Sequence, residues 1–155
     1  MLACCFAGYR PQGIADEEVN IKRSISNAVD KVIDDDVCKF FTAMEKGVDL
    51  WEAQVVLEKK VQNPDLQLVC VVPYKGVEEG WNFYWESIYK DVLTQADEVR
   101  TFHSKAISNG IREGSYWMVE HASHIIGVCH IHSKRTAAIL EYAKRKDLKV
   151  IVIKE

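Results

Sequence analysis

Residues 124–154 read "HIIGVCHIHSKRTAAILEYAKRKDLKVIVIK". The two ends are short β-rich apolar runs, 124–130 and 148–154, and a helical segment from Ser133 to Lys146 lies between them. Two strands separated by a helix fit a parallel pair with a crossover, because a parallel connection needs a dozen or more residues. Near-continuous apolar strands are those covered on both faces.

The same alternation runs through the whole chain. Further strands are expected at 2–7, 38–43, 66–72 and 97–102. Ile21, Ile25, Ala28, Val29, Val32 and Ile33 recur at spacings of three and four and mark one face of a first helix. A second helix is expected over about 49–61, ending before Asn63-Pro64, a third over about 79–95 and a fourth over about 112–122. No linker, repeat or low-complexity segment interrupts the pattern. The expectation is an α/β fold: a Rossmann-like three-layer sandwich, one domain over residues 1–155, with a mostly parallel sheet of about six strands.

Composition narrows the function. At 155 residues, with 48% hydrophobic and 28% charged residues, the chain is an ordinary globular one. A net charge of -3 argues against a nucleic-acid or membrane-surface binder, although not against a small basic pocket. No apolar run approaches the roughly 18 residues of a membrane span. The opening "MLACC" resembles a lipoprotein cleavage site but lacks the basic and apolar segments that precede one, so it reads as the start of a strand in a cytoplasmic protein. The five cysteines are odd in number, have no C-x-x-C spacing and read as small buried hydrophobes.

In open α/β sheets, ligands bind outside the carboxyl ends of the strands, beside helix N-termini. That directs attention to the loops after strands. The first helix opens with Asp16, Glu17 and Glu18, the second with Asp49 and Glu52, and Glu78 and Glu79 precede the third. These acids suit the positive end of a helix dipole. The fifth helix instead opens Ser133-Lys134-Arg135-Thr136. Two cations there cost about 0.3–1 kcal/mol each and make physical sense if an anion completes the site. Backbone N–H groups, the Ser133 and Thr136 hydroxyls, Lys134 and Arg135 would surround a phosphate, with Arg10 brought near from the first loop. A solvated basic turn is the alternative.

In "AGYRPQG", Gly8 permits a sharp turn and close ligand approach, and Pro11 biases Arg10 toward an extended conformation. Gly47 offers another turn. Asp49 and Glu52 have the spacing of a capping box, and Asp49 could alternatively accept from a ligand hydroxyl. Trp81, Trp85 and Tyr89 form a helix stripe suited to packing, while Tyr74 and Trp81 flank the third loop as candidates for stacking on a base. His130 and His132 form an H-x-H pair, yet no further ligands complete a metal set.

These loops, in this order, resemble the YpsA-like family of the SLOG superfamily, from Cys5 to Ile153. The family's T-G-H-R-P reads here Ala7-Gly8-Tyr9-Arg10-Pro11, and its G-M-A-x-G-x-D-x-W reads Ala43-Met44-Glu45-Lys46-Gly47-Val48-Asp49-Leu50-Trp51. "VPYKGVEEGW", "TQADEV" and "WMVEHASHIIGVC" look like three further family blocks. The departures are Gly114-Ser115 for the family's R-N, and Lys134-Arg135-Thr136 for its G-G-T. Phosphoribohydrolases of the superfamily place a glutamate three residues after that threonine; here it is Ile139, with Glu141 the nearest acid. The basic loop residues, together with this resemblance, point to a Rossmann domain that binds a nucleotide or ADP-ribose-related small molecule through Gly8, Tyr9, Arg10, Gly47, Asp49, Tyr74, Trp81, Ser133, Lys134, Arg135 and Thr136. The missing acid leaves no catalytic residue and no cofactor in this reading, and the resemblance implies a homodimer or higher oligomer. A nucleotide N-glycosidase using Glu45, Asp49 or Glu141 with His130 assisting, and an interaction module with a vestigial pocket, are the alternatives.

Overall fold

The computed structural model describes residues 2–11, 15–130 and 133–154, so Met1, Gln12, Gly13, Ile14, Ile131, His132 and Glu155 lie outside the described residues. Strands and helices alternate in the order β1 (Ala3–Ala7), α1 (Ala15–Asp34), β2 (Lys39–Ala43), α2 (Val48–Gln62), β3 (Gln67–Val72), α3 (Phe83–Gln95), β4 (Glu98–Thr101), α4 (Gly110–Glu120), β5 (His124–Cys129), α5 (Lys134–Arg145) and β6 (Lys149–Lys154). The sheet has six strands, ordered β4-β3-β2-β1-β5-β6, and every neighbouring pair is parallel.

The apolar strand runs divide by parity between two cores. Cys4 and Phe6 face one side with Phe40, Leu68, Cys70, Ile126 and Val128, under α1, α2 and α3. Ala3, Cys5 and Ala7 face the other with Phe41, Val69, Val71 and Ile125, under α4 and α5. Since successive side chains point to opposite faces, a strand buried on both must be apolar throughout. Leu68 and Ile126 are fully buried at the centre, where truncation to alanine costs about 2–5 kcal/mol. The α1 stripe is buried from Ile21 to Val32 as its period requires, with Ile33 half-buried at its end. α1 ends where Asp36 takes a left-handed φ of 68° and Val37 N–H returns to the Val32 carbonyl.

Two helix starts differ from expectation. Glu78 and Glu79 precede α3 in a turn segment, because Gly76 and Gly80 hold φ at 87° and 82°. Asn82 makes the cap, accepting from Trp85 N–H at 3.1 Å. α2 begins at Val48, with Gly47 at the cap position and no side-chain cap. Asp49 and Glu52 therefore do not form a capping box; both turn inward and are buried. All five cysteines are free, with Cys4, Cys5 and Cys70 buried and Cys38 and Cys129 partly so.

From β1 the chain steps outward through β2 and β3 to β4, then returns across to β5 on the other side of β1. The order reverses between β1 and β5. That reversal opens a crevice at their carboxyl ends, the position where open α/β sheets bind ligands. Among the described residues, no helix is long and apolar enough to cross a membrane.

Candidate functional site

Three strand-end loops interlock around Gly8. A Cβ on Gly8 would lie 2.8 Å from Val48 Cγ1 and 3.2 Å from Asp49 Oδ1, so glycine lets the β1 loop sit directly on the start of α2. Gly47, at φ 116°, has no room for a side chain either: a Cβ would stand 2.8 Å from the Tyr9 carbonyl oxygen. That carbonyl accepts from Val48 N–H at 3.0 Å. From α5, Thr136 Oγ1 donates to the Gly8 carbonyl at 2.9 Å and accepts from Ser133 Oγ at 2.7 Å. Thr136 is thus a buried clamp between α5 and the β1 loop.

The two arginines singled out in the sequence share one carboxylate. Glu45, on the β2 loop and 3% exposed, accepts from Arg10 Nη2 at 3.3 Å and from Arg135 Nη2 at 2.5 Å. Both arginine side chains keep about half their surface in solvent, at 55% and 47%. A guanidinium has five N–H donors, so one bond to Glu45 leaves each with donors for another anion.

Above this cluster lies a cavity of about 410 Å³, lined by Gly8, Tyr9, Arg10, Glu17, His130, Ser133, Lys134 and Arg135. It sits where the β1 and β5 loops meet, at the reversal of strand order. Its aromatic wall is Tyr9 with His130, ring centroids 5.2 Å apart and tilted by 40°. α5 enters with no acid in its first turn and no side chain capping its N-terminus. Lys134 and Arg135 of its first turn line the same opening as Arg10 of the β1 loop.

Beneath the loops, Asp49 and Glu52 project from one face of α2, three residues apart. Oδ1 of Asp49 and both carboxyl oxygens of Glu52 are sealed from solvent and find no hydrogen-bond donor among the described residues. Burial above all, then the Glu45 charge, pushes the Asp49 carboxyl up to about 7. Burial pushes Glu52 well above the carboxylate range, with Asp49 adding to the effect. Two neighbouring acids in an apolar interior do not both ionise, so the pair retains a proton.

Of the residues chosen from the sequence, Gly8, Tyr9, Arg10, Ser133, Lys134 and Arg135 line the cavity. Gly47, Asp49 and Thr136 lie beneath it and shape its floor. Tyr74 and Trp81 do not line it: Tyr74 packs at the start of α4 beside Gly110, and Trp81 sets its ring edge-on to Tyr89 at 5.4 Å. The β3 loop that carries them is separated from β1 by β2. Glu17 and His130 line the cavity and Glu45 lies beneath it, although the binding reading of the sequence included none of them: Glu17 stood there as a helix-start acid, His130 as half of a histidine pair, and Glu45 as a candidate acid or base of the enzyme alternative. Glu141 lies on the outer face of α5, 67% exposed and paired with Lys144.

Comparison with known proteins agrees with this architecture. The model of the YspA SLOG family matches residues 4–154. A UPF0398 protein of Staphylococcus epidermidis (strain ATCC 12228 / FDA PCI 1200) is 25% identical over 114 residues, 72% of this chain and 61% of the relative. UPF0398 proteins of Bacillus thuringiensis (strain Al Hakam) and Bacillus cereus (strain Q1) are each 34% identical over 79 residues, 51% of this chain and 43% of theirs. The matched region thus spans between 43% and 61% of the length of these relatives.

Proposed function

This chain belongs to the YspA SLOG family, and from that premise we propose that it binds a nucleotide or ADP-ribose-related anion in the β1/β5 cavity without turning it over. One observation carries the reading: in a protein of net charge -3, Arg10, Lys134 and Arg135 converge on one cavity at the acid-free start of α5. A phosphate there would meet backbone N–H groups, Lys134 and the solvent-facing donors of both guanidinia. The Tyr9–His130 wall offers a stacking surface for a base. As a sensor, carrier or sequestering protein the chain needs affinity and no chemistry.

The carboxylates favour binding over catalysis. Glu141 is on the solvent side of α5, Asp49 and Glu52 are sealed under the loops, and Glu45 is held between two arginines. None of these four is placed as a proton donor facing the cavity; Glu17 is the one carboxylate among its described lining residues, with no second acid beside it to complete an acid/base pair. The Glu45 pairing also supports a second reading, in which the internal carboxylate replaces a ligand and the protein serves as an interaction module.

Isothermal titration with AMP and with ADP-ribose tests the proposal. Saturable binding of either, weakened about tenfold or more by Arg10→Ala and by Arg135→Glu, is the expected result, since a hydrogen bond to a charged group contributes about 1.5–3 kcal/mol. Affinity unchanged in both variants would place the ligand elsewhere. No binding of either compound would favour the interaction module, and cleavage products in the titrated solution would favour an enzyme.

A further inference from the structure

Of the residues lining the β1/β5 cavity, Glu17 has no part in holding an anion. It stands in the first turn of α1 and is the one acid among the described lining residues. Its Oε2 is sealed from solvent and meets no hydrogen-bond donor among the described residues. The acids around it are committed elsewhere. Glu18, next on α1, accepts from the Tyr84 hydroxyl and from Lys22 Nζ at 2.9 Å. Glu45 accepts from both Arg10 and Arg135, which turn those donors to it and not to Glu17.

The positive end of the α1 dipole favours an acid in the first turn, but Glu18 meets that preference alone. A carboxylate accepts at two oxygens and donates nothing, so a half-buried one without donors is under-satisfied. At a cavity wall, a bound molecule can supply what the protein does not. Charge decides which donor suits. A cationic group would be repelled by Arg10, Lys134 and Arg135, and a second anionic group by Glu17 itself. A neutral donor remains, and two adjacent donors match two carboxylate oxygens. Adenine offers a single amino group beside acceptor nitrogens, whereas ribose carries two hydroxyls on neighbouring carbons.

We infer that Glu17 accepts hydrogen bonds from the ribose hydroxyls of the bound nucleotide and so selects ribose over sugars that lack them. This assignment rests on the nucleotide reading above. Ribose lies between phosphate and base, so the residue that reads it must share one cavity with the phosphate cations and the stacking wall. Glu17 shares it with Arg10, Lys134 and Arg135 on one side of the chemistry and with Tyr9 and His130 on the other. Dinucleotide-binding folds use an acid for the same purpose about 20 residues beyond their glycine loop. Here the acid comes from the first turn of α1. The same carboxylate disfavours a ligand phosphorylated on either hydroxyl, because two anions would then be opposed.

Isothermal titration of the whole chain with AMP and with its dideoxy analogue, which lacks both ribose hydroxyls, provides the test. Wild type should bind AMP about tenfold or more tightly than the analogue, as expected for hydrogen bonds to a charged group. Glu17→Ala should bring the two affinities within about twofold by weakening AMP alone. Its affinity for the analogue should hold or rise, because a negative charge has left the phosphate's cavity. A merely structural role would lower both. Glu17→Gln keeps one acceptor oxygen and should show an intermediate preference. Equal binding of both compounds by wild type, or an undiminished preference in Glu17→Ala, would overturn the assignment. If those equal affinities still fall with Arg135→Glu, the nucleotide reading stands and the ribose contact alone is lost. If AMP does not bind at all, the ribose contact falls together with AMP as the ligand.

Discussion

Arg135, at the start of α5, donates to Glu45 of the β2 loop at 2.5 Å, and Glu45 also accepts from Arg10 of the β1 loop. The cation that breaks the helix-dipole rule therefore already has an anion, supplied by the protein. A buried carboxylate needs such partners, and the arginines keep their outer donors for a second one. The carboxylate also cancels part of the positive potential that a phosphate would feel.

Glu45→Gln should consequently separate the two effects of this residue. Losing a charge-assisted bond should lower stability by about 1–2 kcal/mol, read as a shift in urea midpoint. If the cavity binds phosphate as proposed, affinity for AMP or ADP-ribose should rise several-fold. A fall in affinity would instead mean that Glu45 holds the guanidinia in their binding pose.

Asp49 links the site to pH. Its carboxyl is pushed up to about 7 by burial and by the Glu45 charge, with Glu52, Arg135 and Arg10 partly offsetting. In the unfolded chain it titrates near 4, so between about pH 4 and pH 7 the folded protein holds a proton that the unfolded chain has released. Stability from this group is fully present below about pH 4 and falls by up to about 1.4 kcal/mol per pH unit until about pH 7. Glu52 acts with the same sign and extends the loss upward. Asp35, lowered by the Lys149 hydrogen bond, acts in the opposite direction and only below about pH 4. Asp49→Asn should flatten the slope by about one proton and raise stability at pH 8 by a few kcal/mol. An unaltered slope in urea denaturation from pH 5 to 8 would show that Asp49 is ionised in the fold.

The fold was legible because strands buried on both faces must be apolar and α1 must show its stripe, and these are local patterns. Six residues that line the cavity were legible for a related reason: they follow strands at the one edge where a parallel sheet offers ligand room. What escaped depended on tertiary detail. Glu45 lies 35 residues from Arg10 and 90 from Arg135, and no periodicity reveals a counter-ion at that distance. Asp49 and Glu52 have capping-box spacing, but Gly47 starts the helix one residue early and turns both inward. Glu78 and Glu79 look like helix-start acids, yet two glycines at positive φ keep their segment in turns.

Thr136 gives a prediction about the scaffold. Its hydroxyl joins Ser133 to the Gly8 carbonyl in a buried chain. Thr136→Val keeps the shape and removes both bonds, leaving the Gly8 carbonyl unsatisfied, at a cost of about 1–3 kcal/mol. Thr136→Ser should recover most of that loss. A valine variant as stable as wild type would mean that water replaces the hydroxyl at the Gly8 carbonyl.

The aromatic residues decide where a base would stack. Tyr74 and Trp81 stand on the β3 loop outside the cavity, whereas Tyr9 forms its wall beside His130. Stacking of a base on an aromatic ring contributes about 1–3 kcal/mol, so Tyr9→Ala should weaken AMP binding about tenfold. Trp81→Ala removes the edge contact on Tyr89 and should lower thermal stability while changing AMP affinity by no more than about twofold. Titration of both variants beside wild type separates the two loops. If Trp81→Ala weakened binding and Tyr9→Ala did not, the ligand would have to extend across β2 to the third loop, and a compound longer than a mononucleotide would be required.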